Sequence, residues 1–282
     1  MRTSPVPDPS PQTIDQTLQA AVLALRSRRP AEAERLAFAV LKSNRSHALA
    51  AQILGEALLL QNRPAEAVAA LRGPARRGGD PATETLLGMA LVAAGRPDQA
   101  LEQFRLAVTR RPPFLLAFLQ LGGRLGDMGA FDEAVTVLEA GLALTPDANV
   151  LRLALGNLHL KRNDRPAARR ALSHALDAAP DQPDALLALA KVTALDGEYP
   201  EAAELFQRVL PLRPDDSGAK IGLARCLLAL GRRDDGEALL RSATQADPDL
   251  IPLAVSTLAA APSGRLFLRP SAAAKFMTAE AH

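Results

Sequence analysis

The side chains best suited to acid–base chemistry or metal binding are the four histidines, His47, His159, His174 and His282. None of them falls in an HExxH motif or another spacing typical of metal ligands. His159 and His174 are close enough in sequence to share a site, but a structural role is the simpler interpretation. Cys226, the only cysteine, has neither a neighbouring histidine nor an orienting asparagine, which is typical of a small packing residue.

One glycine-rich stretch, GGRLGDMG at 122–129, superficially resembles a phosphate-binding loop. A dinucleotide fingerprint must follow a β-strand and open a helix, whereas this stretch lies inside a predicted helix. A nucleotide site is therefore not expected. We predict no catalytic residues, no metal ligands and no cofactor, and hence a protein that is not an enzyme.

Arginine dominates the basic residues, since 28 of the 33 lysines and arginines are arginines. Most arginine pairs lie near predicted helix C-termini or turns, where the helix dipole favours cations. They lack the interleaved aromatic residues on which single-stranded nucleic acid stacks, and the net charge is only +2. A solvated edge is the simplest interpretation of these pairs, which are Arg28-Arg29, Arg76-Arg77, Arg110-Arg111, Arg169-Arg170 and Arg232-Arg233.

Composition indicates an all-helical protein. Hydrophobic residues make up 48% of the 282 residues but aromatics only 3%, so alanine and leucine must form the core, and both are strong helix formers. Prolines at 5, 7, 9 and 11 occupy the place of a signal peptide's apolar run. No apolar run approaches the ~18 residues of a membrane span. With a single cysteine, these features predict a cytoplasmic protein without membrane insertion.

A repeat of about 34 residues runs along the chain. Seven segments related to RPAEAERLAFAVLKS share one small residue, and these residues are separated by 34, 33, 34, 34, 34 and 34 positions. They are Ala33, Ala67, Ala100, Ala134, Ala168, Ala202 and Gly236. A fixed period in this range is the signature of a repeat architecture.

A second pattern precedes each small residue by about twelve positions. Leu-Gly is followed three residues later by an apolar residue, as in Leu87-Gly88 with Leu91 and Leu121-Gly122 with Leu125. Later repeats replace the glycine by alanine, so the position needs smallness, and two helices must approach closely there. Turns follow at Gly95, Gly129, Gly197 and Gly231 or at Arg28, Asn62 and Asn163.

These motifs resemble the tetratricopeptide repeat family over about residues 14–250. The resemblance implies a right-handed α-solenoid of antiparallel helix pairs, without catalytic apparatus, that presents a concave groove to partner peptides. We accordingly predict a Pro-rich disordered N-terminus (1–13), seven repeats (14–47, 48–80, 81–114, 115–148, 149–182, 183–216, 217–250), a capping helix (251–261) and a C-terminal tail (262–282).

The resemblance also implies which positions of each first helix face the groove. Residues at equivalent positions of successive repeats are mostly apolar, except at one position, where they change from acidic to basic along the chain. Gly123 and Gly126 are expected to mark the closest approach of a partner. The predicted groove residues are Leu18, Gln52, Glu56, Thr85, Met89, Leu119, Gly123, Gly126, Leu153, Asn157, Leu187, Lys191, Ile221 and Arg225.

The leading functional hypothesis is a protein-interaction scaffold that binds a partner peptide or helix in this groove. The alternative is a regulatory or substrate-recruiting subunit for a glycosyltransferase, sulfotransferase or hydroxylase acting in trans. An RNA-binding helical repeat is a third interpretation, although nucleic acid is not the predicted partner. An apolar groove left open would be unusual for a protein that binds nothing, but the same residues could instead pack the interior of a tight superhelix.

Two local features carry expectations of their own. Gly73 and Pro74 interrupt the second helix of repeat two, so that helix is expected to end near Arg72.

The apolar capping helix at 251–261 needs a cover, and the following residues could supply one, among them 266–268 and a short helix with Phe276 and Met277. The cover could form in cis, which the tether favours, or through self-association at this end.

Overall fold

A computed structural model describes residues 11–260, 272 and 275–277, and all regular structure in those residues is helical. Two compact units divide the chain after Pro146. The first contains α1 (Pro11–Arg26), α2 (Pro30–Ser43), α3 (Ala48–Leu60), α4 (Pro64–Gly78), α5 (Pro81–Ala93), α6 (Pro97–Thr109), α7 (Leu115–Asp127) and α8 (Phe131–Leu144). The second contains α9 (Asn149–Lys161), α10 (Arg165–Ala178), α11 (Pro183–Leu195), α12 (Tyr199–Leu212), α13 (Ser217–Ala229), α14 (Arg233–Ala246), a 3-10 turn (Pro248–Leu250) and α15 (Ile251–Ala260).

The helices of each unit pack in sequence, and the odd-numbered helices also pack on one another. Thus α3 contacts α1 and α5 in the first unit, and α13 contacts α11 and α15 in the second. This arrangement buries the apolar face that a single hairpin would leave exposed. The prediction of an all-α solenoid of helix pairs is confirmed within each unit. Helix α1 begins at Pro11, inside the segment predicted to be disordered, and residues 1–10 lie outside the described part.

Small residues line the contact between the two helices of each hairpin. An ideal Cβ added to Gly88 would lie 2.4 Å from Cε1 of Phe104, and one added to Gly122 would lie 2.7 Å from Cδ2 of Leu138. Side chains do not pack that closely, so the helices meet there as the sequence predicts. The small residues of the 34-residue period are likewise buried in every repeat, at Ala33, Ala67, Ala100, Ala134, Ala168, Ala202 and Gly236.

The turns inside the hairpins use left-handed backbone conformations. Glycine supplies a positive φ without steric cost in four hairpins, and polar residues adopt it in the other three. These are the residues that the sequence marked as turns, namely Gly95, Gly129, Gly197, Gly231, Arg28, Asn62 and Asn163.

Pro74 lies inside α4, so the prediction that this helix ends near Arg72 is wrong. Leu71 and Ala75 lie one turn apart around the proline and are both buried. An internal proline costs about 3 kcal/mol, and burial of these side chains on the neighbouring helices offsets that cost. Packing therefore overrides the local preference of Gly73-Pro74.

The longer α4 also explains the single 33-residue spacing. Gly79, with φ 55°, ends α4, and Asp80 caps α5 directly afterwards. Only two residues connect these helices, whereas four residues, 44–47, connect α2 to α3. Repeat two is therefore shortened in the loop that connects α4 to α5.

Asp80 joins three groups at the start of α5. Its carboxylate accepts hydrogen bonds from the Thr83 backbone N–H at 2.9 Å, from the Thr83 hydroxyl at 2.5 Å and from Nε2 of Gln52 at 2.6 Å. Burial raises the pKa of Asp80, but the hydrogen bonds from Thr83, Ala82 and Gln52 outweigh it, and the pKa lies below its ordinary value of 3.8. Asp80 thus links α3 to α5 as a carboxylate.

We expect Asp80 to stabilise the fold in a pH-dependent way. Its lowered pKa means that the stabilisation is complete above the unfolded pKa of about 3.8 and is lost as the pH falls through the lower folded pKa. Asp80→Ala should lower the free energy of unfolding at pH 7 by about 1 kcal/mol, the typical cost of losing a helix N-cap. Denaturant unfolding of both proteins from pH 7 to about pH 2.5 checks this. A difference that stays constant over this range would contradict the assignment.

Ion pairs join helices both within a repeat and between successive repeats. Glu84 is almost completely buried, and Arg110 at the end of α6 donates to it at 2.7 Å. The hydrogen bonds to Glu84 raise the pKa of the Arg110 guanidinium. Five arginines of the predicted solvated edge are therefore paired with carboxylates, namely Arg29, Arg110, Arg169, Arg232 and Arg233. Other arginine–carboxylate pairs are Arg63–Glu34, Arg105–Glu133, Arg165–Asp196, Arg208–Asp181 and Arg213–Asp184.

The chain's own C-terminal segment covers α15. Met277 is fully buried in a cluster with Ala254 and Leu258. Its carbonyl accepts a hydrogen bond from the Thr244 hydroxyl at 3.2 Å, and the Arg241 guanidinium lies 5.3 Å from the centroid of the Phe276 ring. The expected cover in cis is confirmed at these two residues, whereas 266–268 lie outside the described residues.

Candidate functional site

The predicted groove residues differ in their accessibility. Leu18, Thr85 and Gly126 are buried, and the Thr85 hydroxyl donates to the Pro81 carbonyl at 2.6 Å. Six are half-buried, namely Gln52, Met89, Leu119, Leu153, Leu187 and Ile221. Five are exposed, namely Glu56, Gly123, Asn157, Lys191 and Arg225. A partner can reach the half-buried and exposed residues on the odd-numbered helices, and their role in binding stays a prediction.

The second unit contains an apolar cavity of about 430 Å³ beside α11, α13 and α15. Leu195 and Leu253 in its wall are 53% and 50% exposed, which is unusual for leucine in a folded unit. The cavity is lined by Leu160, Lys191, Leu195, Phe206, Ser217, Gly218, Ile221, Gly222, Arg225, Leu250, Leu253 and Thr257. Three predicted groove residues, Lys191, Ile221 and Arg225, therefore share one site.

Gly222 makes room for the aromatic ring in this lining. A Cβ added to Gly222 would lie 2.4 Å from Cζ of Phe206, so no larger residue fits while the ring keeps its position. Phe206 is itself almost fully buried. The two residues fix the apolar floor between α12 and α13.

Helix α15 forms one wall of the cavity with one face and packs against Met277 with another. Leu253 and Thr257 line the cavity with Leu250 of the preceding turn, while Ala254 and Leu258 pack with Met277 on an adjacent face. Sequence reasoning missed this wall. The spacing of residues 250, 253 and 257 places them on one helical face, and this pattern in the sequence could have predicted the wall.

Two cations border the cavity. Lys191 of α11 and Arg225 of α13 are both exposed and occupy the same position in successive repeats, 34 residues apart. Among the described residues neither forms an ion pair or a side-chain hydrogen bond, in contrast to Arg165 and Arg213 of the same unit. The cavity therefore combines an apolar interior with uncompensated positive charge.

The first unit has a different pair of depressions near α1. One of about 520 Å³ is bordered by Asp15 and Arg26, and its neighbour of about 270 Å³ is bordered by Arg26 and Glu56. Both signs of charge are present at these sites, and Gln52 in the second one is already bonded to Asp80. Gly123 of α7 faces open space, since a Cβ added there meets nothing within 4 Å.

Two of the residues suited to chemistry, His47 and Cys226, have structural roles. Nδ1 of His47 accepts from the Ala50 N–H at 3.4 Å and so caps α3, and Cys226 is buried, which raises the pKa of its thiol. Within the described ranges, no group of three His, Cys, Asp or Glu side chains could hold a metal ion, His159 and His174 included. Nor does any described helix have the length and apolar character needed to cross a membrane.

Comparisons with known proteins agree with this architecture. Tetratricopeptide repeat models match residues 18–81 and 153–217, residues 194–261 and residues 81–105. No curated protein sequence matches the chain significantly.

Solved structures with similar folds include the C-terminal part of a TPR repeat-containing protein from Cytophaga hutchinsonii (16% identity, TM-score 0.63, 86% of this chain and 99% of that chain). PilF of Pseudomonas aeruginosa is also similar (18% identity, TM-score 0.62, 71% and 92%). A chain of the APC/C hetero-tetramer Cut9–Hcn1 aligns at 16% identity and TM-score 0.65 over 87% of this chain, which spans 52% of that chain's length. At these identities the likeness shows the fold alone.

Proposed function

We propose that this chain, which belongs to the tetratricopeptide repeat family, is a non-enzymatic cytoplasmic scaffold that binds a segment of a partner protein along its odd-numbered helices. Protein interaction is the general role of this fold. The more specific elements of the proposal are the binding face and the absence of catalysis.

The apolar cavity of the second unit is the observation that carries the proposal. Burying an exposed leucine side chain stabilises a complex by roughly 1.5–3 kcal/mol, and Leu195 and Leu253 together leave such surface open in one place. Leu153, Leu187 and Ile221 occupy equivalent positions on α9, α11 and α13 and are half-buried. A partner segment that follows these positions would place one bulky side chain in the cavity.

A charge placed in the cavity wall tests this proposal. Leu195→Glu should reduce capture of the partner from the native host to background, because a carboxylate would be desolvated in an apolar contact. Leu230→Glu is the matched control, since Leu230 is 42% exposed and does not line the cavity. Quantitative mass spectrometry of the captured proteins is the measurement, with circular dichroism to check folding.

Equal capture by both variants would contradict the proposed site. A captured enzyme that modifies other proteins would instead favour the alternative, in which the chain recruits substrates for a glycosyltransferase, sulfotransferase or hydroxylase. The Cut9–Hcn1 hetero-tetramer is an assembly of the kind expected for a scaffold, although its likeness to this chain extends only to the fold.

A further inference from the structure

The charge of the cavity lining identifies the kind of segment that fits it. Its twelve residues include two cations, Lys191 and Arg225, and no carboxylate. The nearby Asp216 is engaged in capping α13, where it accepts from the Ala219 N–H at 2.8 Å. The apolar surface of the cavity thus carries positive charge alone.

These two cations differ from several other arginines of the second unit, which are paired with carboxylates. Arg213 is paired with Asp184 at 2.7 Å, and Arg165 with Asp196 at 2.8 Å. No such partner exists for Lys191 or Arg225 within the described part of the chain. Charges that are uncompensated at a binding surface select partners of opposite sign and speed their association.

We propose that the cavity binds an acidic segment of a partner protein, in which a bulky apolar side chain enters the cavity and carboxylates of the same segment pair with Lys191 and Arg225. This inference rests on the proposed function and adds the chemistry of the partner. Because the cations lie on neighbouring odd-numbered helices, one repeat apart, two separate carboxylates are needed to satisfy both. Both carboxylates are proposed to be internal aspartate or glutamate side chains, so that the segment continues past the cavity.

The exposure of Lys191 and Arg225 determines how much the ion pairs contribute to affinity relative to the buried apolar side chain. Ion pairs at exposed side chains add little affinity and weaken with salt, whereas burial of an apolar side chain does not depend on salt to the same degree. The cavity is thus expected to supply most of the affinity, and the two cations the selection of acidic segments.

Synthetic peptides test the proposal on the full chain. The probe is a fluorescein-labelled, C-terminally amidated peptide with a central leucine flanked on each side by two aspartates and neutral spacers. Fluorescence polarisation should show saturable binding. Replacement of the leucine by alanine should weaken binding about tenfold or more, and replacement of the aspartates by lysines should abolish it. The same peptide with a free C-terminal carboxylate should bind equally well.

Variants of the protein test whether Lys191 and Arg225 bind the carboxylates of the peptide. Lys191→Gln combined with Arg225→Gln should weaken binding of the acidic peptide about threefold at low salt and remove most of its salt dependence. Lys220→Gln is the matched control, since Lys220 lies on α13 outside the cavity lining and its loss changes the charge of the same helix. Both cations of the double variant are exposed, so the fold is expected to persist.

Several outcomes would overturn the inference. They are equal binding of the acidic and lysine-flanked peptides, unchanged binding by the double variant, or binding that requires the free C-terminal carboxylate. If partner capture is lost in Leu195→Glu but the double variant binds the acidic peptide at low salt as tightly as the unaltered protein, the proposed function stands and the acidic partner does not. If Leu195→Glu leaves capture unchanged, the proposed function itself fails.

Discussion

Gly122→Leu is expected to lower the free energy of unfolding by about 2 kcal/mol, whereas Gly123→Leu, one residue further along α7, should leave it unchanged or raise it slightly. A Cβ at residue 122 would lie 2.7 Å from both Cγ and Cδ2 of Leu138, which is buried and would have to shift within a packed core. Overpacking of this kind costs up to about 3 kcal/mol, occasionally more, and the gain of roughly 1 kcal/mol in helix propensity recovers only part of it.

Denaturant unfolding of the two variants measures this contrast. They share the substitution, the helix and the change in composition, so their difference isolates the contact with Leu138. At Gly123 an added Cβ meets nothing within 4 Å, and only the gain in helix propensity, up to about 1 kcal/mol, applies. Equal midpoints for the two variants would show that the close approach of α7 and α8 is not required for stability.

Met277→Ala is expected to release α15 from the end of the second unit. Truncation of a fully buried methionine costs about 2–5 kcal/mol, and the shortened side chain would no longer pack against Ala254 and Leu258. Because α15 is the last long helix of the described chain, the destabilisation should appear as local opening of this helix while the preceding hairpins stay folded. Hydrogen exchange of the amides at 254–260 should accelerate by at least about tenfold, and that at 219–228 should not change.

Ala272→Ser serves as the control, because Ala272 is exposed and belongs to the same terminal segment. If exchange in α15 is the same in Met277→Ala as in this control, Met277 does not anchor the helix. Dimerisation of Met277→Ala would mean that a second copy can cover the surface that this residue protects.

Much of the fold follows from periodicity in the sequence. The small residues at 34-residue spacing and the Leu-Gly pairs predicted where two helices meet. The close contacts of Gly88 with Phe104 and of Gly122 with Leu138 confirm this prediction. These features are predictable because a close helix contact depends on one residue type at one position. Positive φ at Asn62 was equally predictable, since asparagine tolerates the left-handed region better than most residues.

Other features depend on contacts that no short window of sequence contains. Pro74 is locally a helix breaker, and only the burial of Leu71 and Ala75 on neighbouring helices shows why α4 continues. A repeat pattern identified Lys191 and Arg225 as equivalent. The absence of an ion pair at either one, among the described residues, depends instead on the positions of all the surrounding carboxylates.

The two faces of α15 couple binding in the cavity to the packing of Met277. Leu253 and Thr257 face the cavity, and Ala254 and Leu258 hold Met277. A segment bound in the cavity and the chain's own terminus therefore stabilise the same helix, and by linkage each must favour the other by the same factor. Cleavage of the chain before Phe276, which removes Met277, would then weaken binding in the cavity without touching the binding surface, and a bound segment would in turn slow that cleavage.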